Sequence, residues 1–427
     1  MSETAWILSA GFLALLAIGV PFAIALLLTT SAVLVVADID PVVLAQTLVG
    51  GSQSFSLLAI PFFMLAGEIM TAGGLSAKLV NLADVLVRHL RGGIGYATVG
   101  SAAVFAAISG SAPATTAAIG TIMIPAMVAR GYSKAFATAL SVSAGVLGPL
   151  IPPSIAAIIW GVIAEQSISR LFMAGVGPGL LLVVGLMAVC WLHARRHDIP
   201  RGPRASLAEI RTALRESVWT LATPVLVLGG IYGGVFTPTE SAVVACVYSL
   251  FVGAFIEKKI RLADLSPIFL RAMRITAIVM FIVMASVGFG WLVAQEQLAV
   301  KLATWLSGTI EQKWLMLVCV NLFLFLICAV MDEIAIMVIL GPLLIGIAGK
   351  FGVDPIHFGA IIVTNVAIGM AAPPIGYCLF VGMAISGLSL ATVARAIWPM
   401  ILVMLGVLML TTYVPDFALW LPRQALR

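Results

Sequence analysis

Long apolar runs dominate the chain, and short polar clusters separate them. Trp6–Val36 and Leu171–Leu192 are two such runs, each longer than the roughly 20 residues that cross a bilayer. The pattern predicts an all-α polytopic membrane protein. Trp6–Val36 reads as one retained span, because Ser2-Glu3-Thr4 supplies no basic leader and the run is too long for a signal-peptide core. Two runs are interrupted midway, Ile94–Val128 by Ser109-Gly110-Ser111-Ala112-Pro113 and Leu315–Ala348 by Met331-Asp332-Glu333. Two further stretches carry proline pairs, GPLIPPS at 148–154 and GMAAPPIG at 369–376. Proline lacks a backbone donor and clashes with the preceding turn, so each pair predicts a helix broken inside an apolar region.

The two proline pairs lie 221 residues apart, and the same shift carries Gly67 onto Gly288, Gly120 onto Gly341, Gly131 onto Gly352, Gly148 onto Gly369, Gly161 onto Gly382 and Pro178 onto Pro399. Gly and Pro mark backbone geometry rather than packing, so the coincidence predicts a repeated fold. The expected organisation has a first repeat over 1–192, with a hairpin at about 94–130 and a broken helix at about 135–165. A basic linker follows at 193–216. The second repeat covers 217–427, with a hairpin at about 314–348 and a broken helix at about 356–388.

Charge adds an orientation. The segment 193–217 holds six arginines against three acids, and excess Lys and Arg mark cytoplasmic loops. With this segment inside, all but six of the 23 Lys and Arg fall on the same side; Arg170, Lys301, Lys313, Lys350, Arg423 and Arg427 fall outside. Ile94–Val128 then has both flanks inside and Leu315–Ala348 both flanks outside. The repeat becomes an inverted repeat with two re-entrant hairpins, a pattern typical of secondary transporters. Composition agrees: 62% of residues are hydrophobic and 10% charged, with a mean hydropathy of +1.16. The net charge of +5 is accounted for by orientation and calls for no nucleic-acid partner.

A break in an apolar helix frees carbonyl oxygens at one half-helix end, which can hold a dehydrated cation such as Na⁺, and amides at the other, which can hold a carboxylate. Both hairpin tips and both proline breaks are expected near the midplane, one tip and one break forming a cage in each half. Asp332 and Glu333 lie within a run; Asp332 reads equally as a cation or proton site and as a helix cap. Glu68 is expected to snorkel or to pair with a neighbouring subunit, and Glu240 to sit in a cap region with Thr237 or Thr239. The five cysteines form no CxxC pair and read as small buried hydrophobes. His193 and His197 read as solvated loop residues, and no metalloenzyme signature or intramembrane nucleophile–base pair stands out, so no enzymatic activity and no cofactor is expected beyond a coupling ion. A channel would more often repeat its filter over subunits than duplicate it once inverted.

Several segments together resemble the large membrane subunit (DctM-like) of the tripartite ATP-independent periplasmic, or TRAP, transporters. They include AIPFFMLAGEIMTAGGL, SGSAPATTAAIGTIMIPAM, GPLIPPSIAAIIWG, GGIYGGVFTPTESA, MDEIAIMVILGPLL and GVDPIHFGAIIVTNVAIGMAAPPIG, and the likeness covers nearly the whole chain. The resemblance implies an elevator-type, sodium-coupled importer of small organic acids in the bacterial inner membrane. It also implies two separate partners, a small four-helix membrane subunit and a periplasmic substrate-binding protein. Carried over by motif, one sodium site would use Ser109, Gly110 and Ser111 with Ser143, Gly148, Pro149, Pro152 and Pro153. The second would use Met331 and Asp332 with Gly369, Ala372 and Pro373. The family commonly has Thr where Ala372 stands, so backbone carbonyls would carry that part of the second site. Ser111, Thr115, Asp332 and Asn365 are expected to line the substrate cavity. A stand-alone ion-coupled anion permease of related elevator design is the alternative, disfavoured by IPPS and FTPTE.

Overall fold

The computed structural model describes residues 3–297, 301, 304, 308, 310, 312–329, 331, 333–374 and 376–425, and the described residues contain helices and no strands. Among the described residues seven helices are long and apolar enough to cross a membrane, and the pair Lys134–Leu150 and Ile155–Ile163, bent by 41°, would make an eighth span. Helices Phe22–Val36, Val42–Ser52, Ala59–Ala72 and Leu75–Val87 open the first half. The apolar run expected as one span divides: Phe22–Val36 starts anew after Gly19, whose φ of +85° is left-handed, and Pro21.

Two helices joined only by Gly110 and Ser111, Gly93–Ser109 and Ala112–Ala129, make a hairpin. The broken helix and then Ile168–Arg196 follow. After Leu207–Tyr232, Pro238–Phe251 and Leu262–Gln295, the second half presents a second hairpin, Lys313–Cys328 with Glu333–Lys350. It continues with Pro355–Gly369, a break, Tyr377–Ser386 and Leu390–Tyr413. Helix bounds keep the 221-residue register: Ala112–Ala129 maps onto Glu333–Lys350, and Lys134 onto Pro355.

Each hairpin brings its flanks together. Tyr132 Oη donates to Gly92 O at 3.1 Å, and Lys313 Nζ donates to Gly352 O at 2.9 Å. The first pair of flanks lies at the basic end of the molecule. There Arg130 makes a two-armed bond to Asp84 (2.5 and 2.8 Å), Arg88 pairs with Glu209 at 2.7 Å, Arg91 with Asp198, and Lys78 with Glu257 at 2.6 Å. The second pair lies at the opposite end. Gly341 packs on Ile163 and Trp160, and Gly359 on Trp160 and Leu171, which places the second hairpin beside the far end of the first broken helix.

Lipid offers no hydrophobic drive between helices, so close backbone approach and packing hold such an assembly. The main core accordingly runs through both hairpins and both broken helices, while a smaller cluster around Leu8, Phe12, Leu26 and Phe289 joins the amino-terminal helices to Leu262–Gln295. Several local expectations change. The linker is helical to Arg196 and again from Leu207, so only 197–206 is irregular. His193 is not a solvated loop residue: its ring stacks on Phe136 at 3.5 Å and on His197 at 4.0 Å. Glu68 pairs within the chain, with Arg271 at 3.1 Å. Cys319 is exposed, whereas Cys190, Cys246, Cys328 and Cys378 are buried.

Candidate functional site

The first hairpin tip is built by three residues. Gly110 ends one arm in the left-handed region (φ +62°), and its N–H donates to Ala106 O at 3.1 Å. Ser111 is extended and starts the second arm, with Pro113 in the first turn. Ser109 Oγ and Thr115 Oγ1 are 2.8 Å apart, and Thr115 Oγ1 and its N–H both donate to Ser111 O, at 2.8 and 3.0 Å. Ser109 and Thr115 are thus engaged within the tip itself.

The tip docks on the first proline break. Gly110 O accepts from Ile155 N at 3.2 Å. A Cβ at Gly110 would stand 2.6 Å from Pro153 O, and one at Gly148 would stand 2.5 Å from the Ser111 carbonyl. Only glycine allows this approach at either position. Helix Lys134–Gly145 and the turn Leu147–Leu150 carry the chain to the break, where Ile151 N donates the last bond, to Leu147 O at 2.8 Å. The carbonyls of Gly148 and Pro149 have no i+4 donor because Pro152 and Pro153 carry no N–H. Ser154 then caps Ile155–Ile163, its Oγ accepting from Ala157 N at 3.1 Å. Two carbonyl-ended half-helices (to Ser109 and to Leu150) therefore meet two amide-ended ones (from Ala112 and from Ile155). The Pro152–Pro153 bond is cis, as is Pro373–Pro374.

Thr116 Oγ1 on the second arm, and Ser141 Oγ and Ser143 Oγ on helix Lys134–Gly145, are buried without a hydrogen-bond partner. Thr116 Oγ1 lies against Gly145, 1.9 Å from where a Cβ would stand. Residue types alone pointed to Thr115 and missed Thr116 and Ser141; the 100° step between neighbours on a helix is the signal that separates them. The structure thus brings Gly110 onto Pro153 and Ser111 onto Gly148, with Pro149 in the preceding turn and Ser109 held by Thr115 within the tip.

The second junction differs. Cys328, the last residue of its arm, packs on Gly369, where a Cβ would stand 2.1 Å from the Cys328 Cβ. Met331 N donates to Ile327 O at 2.9 Å, and Asp332 lies outside the described residues. The break re-bonds its own carbonyls: Gly369 O accepts from Ala372 N at 3.0 Å, Met370 O from Cys378 N at 2.9 Å and Ala372 O from Gly376 N at 3.0 Å. Ala372 is buried, and Pro373 follows it in the turn.

Asn365 belongs to another cluster. Its Nδ2 donates to Asn321 O and Oδ1 at 3.0 and 3.1 Å, and Asn321 Nδ2 donates to Thr412 Oγ1 at 2.9 Å. Its Oδ1 is buried without a partner. Among the described residues no hydrogen bond links Asn365 to Ser111 or Thr115. A small internal cavity lies where Pro149, Leu150 and Ser154 face Gly359, Val363 and Thr364, so the first break abuts the second broken helix.

Residues 9–417 match the family described as the DctM component of the tripartite ATP-independent periplasmic transporter. The chain is 42% identical over 379 residues to the C4-dicarboxylate TRAP transporter large permease protein DctM of Pseudomonas aeruginosa, a match covering 89% of each. It is 41% identical over 408 residues to the isethionate TRAP transporter permease protein DctMQ of Oleidesulfovibrio alaskensis, covering 95% of this chain and 64% of that protein. Its fold is similar to that of the Alcanivorax borkumensis YdaH transporter, with a TM-score of 0.65 at 17% identity over 87% of this chain and 88% of the other. The apolar spans, the two hairpins and this match along nearly the whole length lead to one conclusion: the chain is a multi-pass protein of the bacterial inner membrane and belongs to the DctM component family of tripartite ATP-independent periplasmic transporters.

Proposed function

We propose that this chain is the permease subunit of a sodium-coupled importer of small organic acids, working by an elevator movement. In this reading it acts with a small four-helix membrane subunit and a periplasmic substrate-binding protein. The observation that carries the reading is the docking of the first tip on the first break. At that break Pro152 and Pro153 leave the Gly148 and Pro149 carbonyls without helical donors, and the helix that leads to it carries the unpartnered buried hydroxyl of Ser143, with that of Thr116 against Gly145. These are neutral, hard oxygens. They suit a small monovalent cation better than a divalent ion, which is usually held by carboxylates. The amide ends at Ala112 and Ile155 face the same junction and supply positive potential for a carboxylate.

Both hairpins are re-entrant in this reading. The first enters from the cytoplasm, with the basic end inside, and the second from the periplasm, so the halves form an inverted repeat. The substrate class follows the names of the relatives, C4-dicarboxylate and isethionate.

The test is uptake in proteoliposomes. The full chain is co-reconstituted with its small subunit and binding protein, each is omitted in turn, and a sodium gradient is replaced by potassium. Saturable uptake by the chain alone would overturn the tripartite part of the reading. Equal uptake in potassium would overturn the coupling ion.

A further inference from the structure

We propose that the exposed face of residues 195–215 binds the phosphodiester headgroups of anionic phospholipids, and that the first turns of helix Leu207–Tyr232 lie along the membrane surface there. The segment 193–217 carries six arginines and no lysine. Two of its three acids are engaged from outside it, Asp198 by Arg91 and Glu209 by Arg88, which leaves Glu216. Among the described residues Arg195, Arg196, Arg201, Arg204, Arg211 and Arg215 form no ion pair, and all six are exposed. Arg195 lies over the ring of Trp191, 5.3 Å from its centroid.

The apolar neighbours of these arginines point to a lipid surface. Leu207 is 86% exposed, Leu214 45% and Val218 50%. With Arg211 they recur at three- and four-residue steps and share one side of the helix, with Arg215 at its flank. The opposite side is protein-facing: Ala213, Ser217 and Thr220 are buried, and Ser217 Oγ donates to Lys78 O at 3.1 Å. A stripe that alternates exposed leucine with unpaired arginine fits the interface between acyl chains and headgroups. Aliphatic side chains enter the acyl boundary, and guanidinium groups bridge phosphate oxygens two at a time. Trp191 and Trp219, both partly exposed, flank the segment in the chain, and indole rings favour the membrane interface. Orientation alone requires only positive charge. It does not require arginine throughout, nor an exposed apolar stripe on the same helix face.

The proposal rests on the orientation given above, with the basic end inside, but its test does not use transport. The purified full-length chain in neutral detergent is titrated with dioleoylphosphatidylglycerol or dioleoylphosphatidylcholine, and bound lipid is counted by native mass spectrometry. Phosphatidylglycerol should be retained preferentially. The Arg204→Gln, Arg211→Gln, Arg215→Gln protein should bind it about tenfold more weakly, with the lysine equivalents in between. Leu207→Ser with Leu214→Ser keeps every charge and should also weaken retention, which keeps the proposal testable if the glutamine variant does not insert. Ser206→Cys, labelled from either side, reports orientation separately. Equal binding of the two lipids by the parental chain, or unchanged phosphatidylglycerol retention in a folded glutamine variant, would overturn the proposal.

Discussion

Thr115 and Thr116 are adjacent, both buried, and opposite in circumstance. Thr115 holds the hairpin tip through Ser109 and Ser111 O, whereas Thr116 Oγ1 has no partner. Thr115→Val should therefore lower thermal stability, by about 1 kcal/mol for each hydrogen bond lost. Thr116→Val keeps the shape and removes an unsatisfied hydroxyl, so stability should hold or rise. If that hydroxyl serves the cation, the sodium concentration for half-maximal uptake should rise several-fold in Thr116→Val. Unfolding curves and a sodium titration of both variants decide the point. Gly148 gives a second residue-scale expectation. Its alanine variant would press on the Ser111 backbone, which cannot swing away as a side chain could. Uptake should fall sharply, while Gly229→Ala, which meets nothing within 4 Å, should transport normally.

Whole elements separate the two junctions. Replacing Pro152 and Pro153 by alanine restores two donors for Gly148 and Pro149 and removes roughly 3 kcal/mol of opposition to helix at each position. Sodium dependence should be lost while the chain still inserts. The same change at Pro373 and Pro374 should shift sodium dependence less, because Gly369, Met370 and Ala372 already have backbone donors. Uptake over a sodium series compares the two, and an equal loss in both would refute the distinction. At the basic end, Ser206 N and Arg88 hold the Glu209 carboxyl below the ordinary glutamate range, the backbone bond contributing most. A depressed value stabilises the folded form above the unfolded value of about 4.3, and this is lost only as pH falls below it toward the folded value. The docking of 203–209 on Arg88 should be indifferent to pH between 5 and 8, as hydrogen exchange of those amides can show. Both breaks and the first tip were legible in the sequence because a proline pair, or Gly110 with Pro113, interrupts an otherwise apolar run. The division of the first apolar run was hidden because apolar periodicity runs straight through Gly19 and Pro21. His193 was misplaced because ring stacking depends on Phe136, which is distant in the chain.

For the whole molecule, the two hairpins close their flanks at opposite ends, Gly92 with Tyr132 and Lys313 with Gly352. A cysteine at 206 should react with an impermeant reagent only from the cytoplasm, and one at 352 only from the periplasm. Reaction of both from one side would defeat the inverted arrangement. The 221-residue register was legible from glycines and prolines, but the interlock of the halves was not. It depends on Gly341 and Gly359 meeting Ile163, Trp160 and Leu171, contacts that no spacing encodes.

From Gly92 to Ala129, and again from Ala135 to Ala164, the chain contains no Asp, Glu, Lys, Arg or His. A cation held at the first junction would therefore keep its full charge, because those segments carry no fixed counter-charge. Moving it across the membrane would couple directly to the electrical potential, about 2.3 kcal/mol for each charge per 100 mV. The acid carried alongside would be its mobile counterion. Cation and acid would then each lower the cost of bringing the other out of water. Current recorded during uptake would give the sodium-to-anion ratio, because uncompensated charge appears as net current.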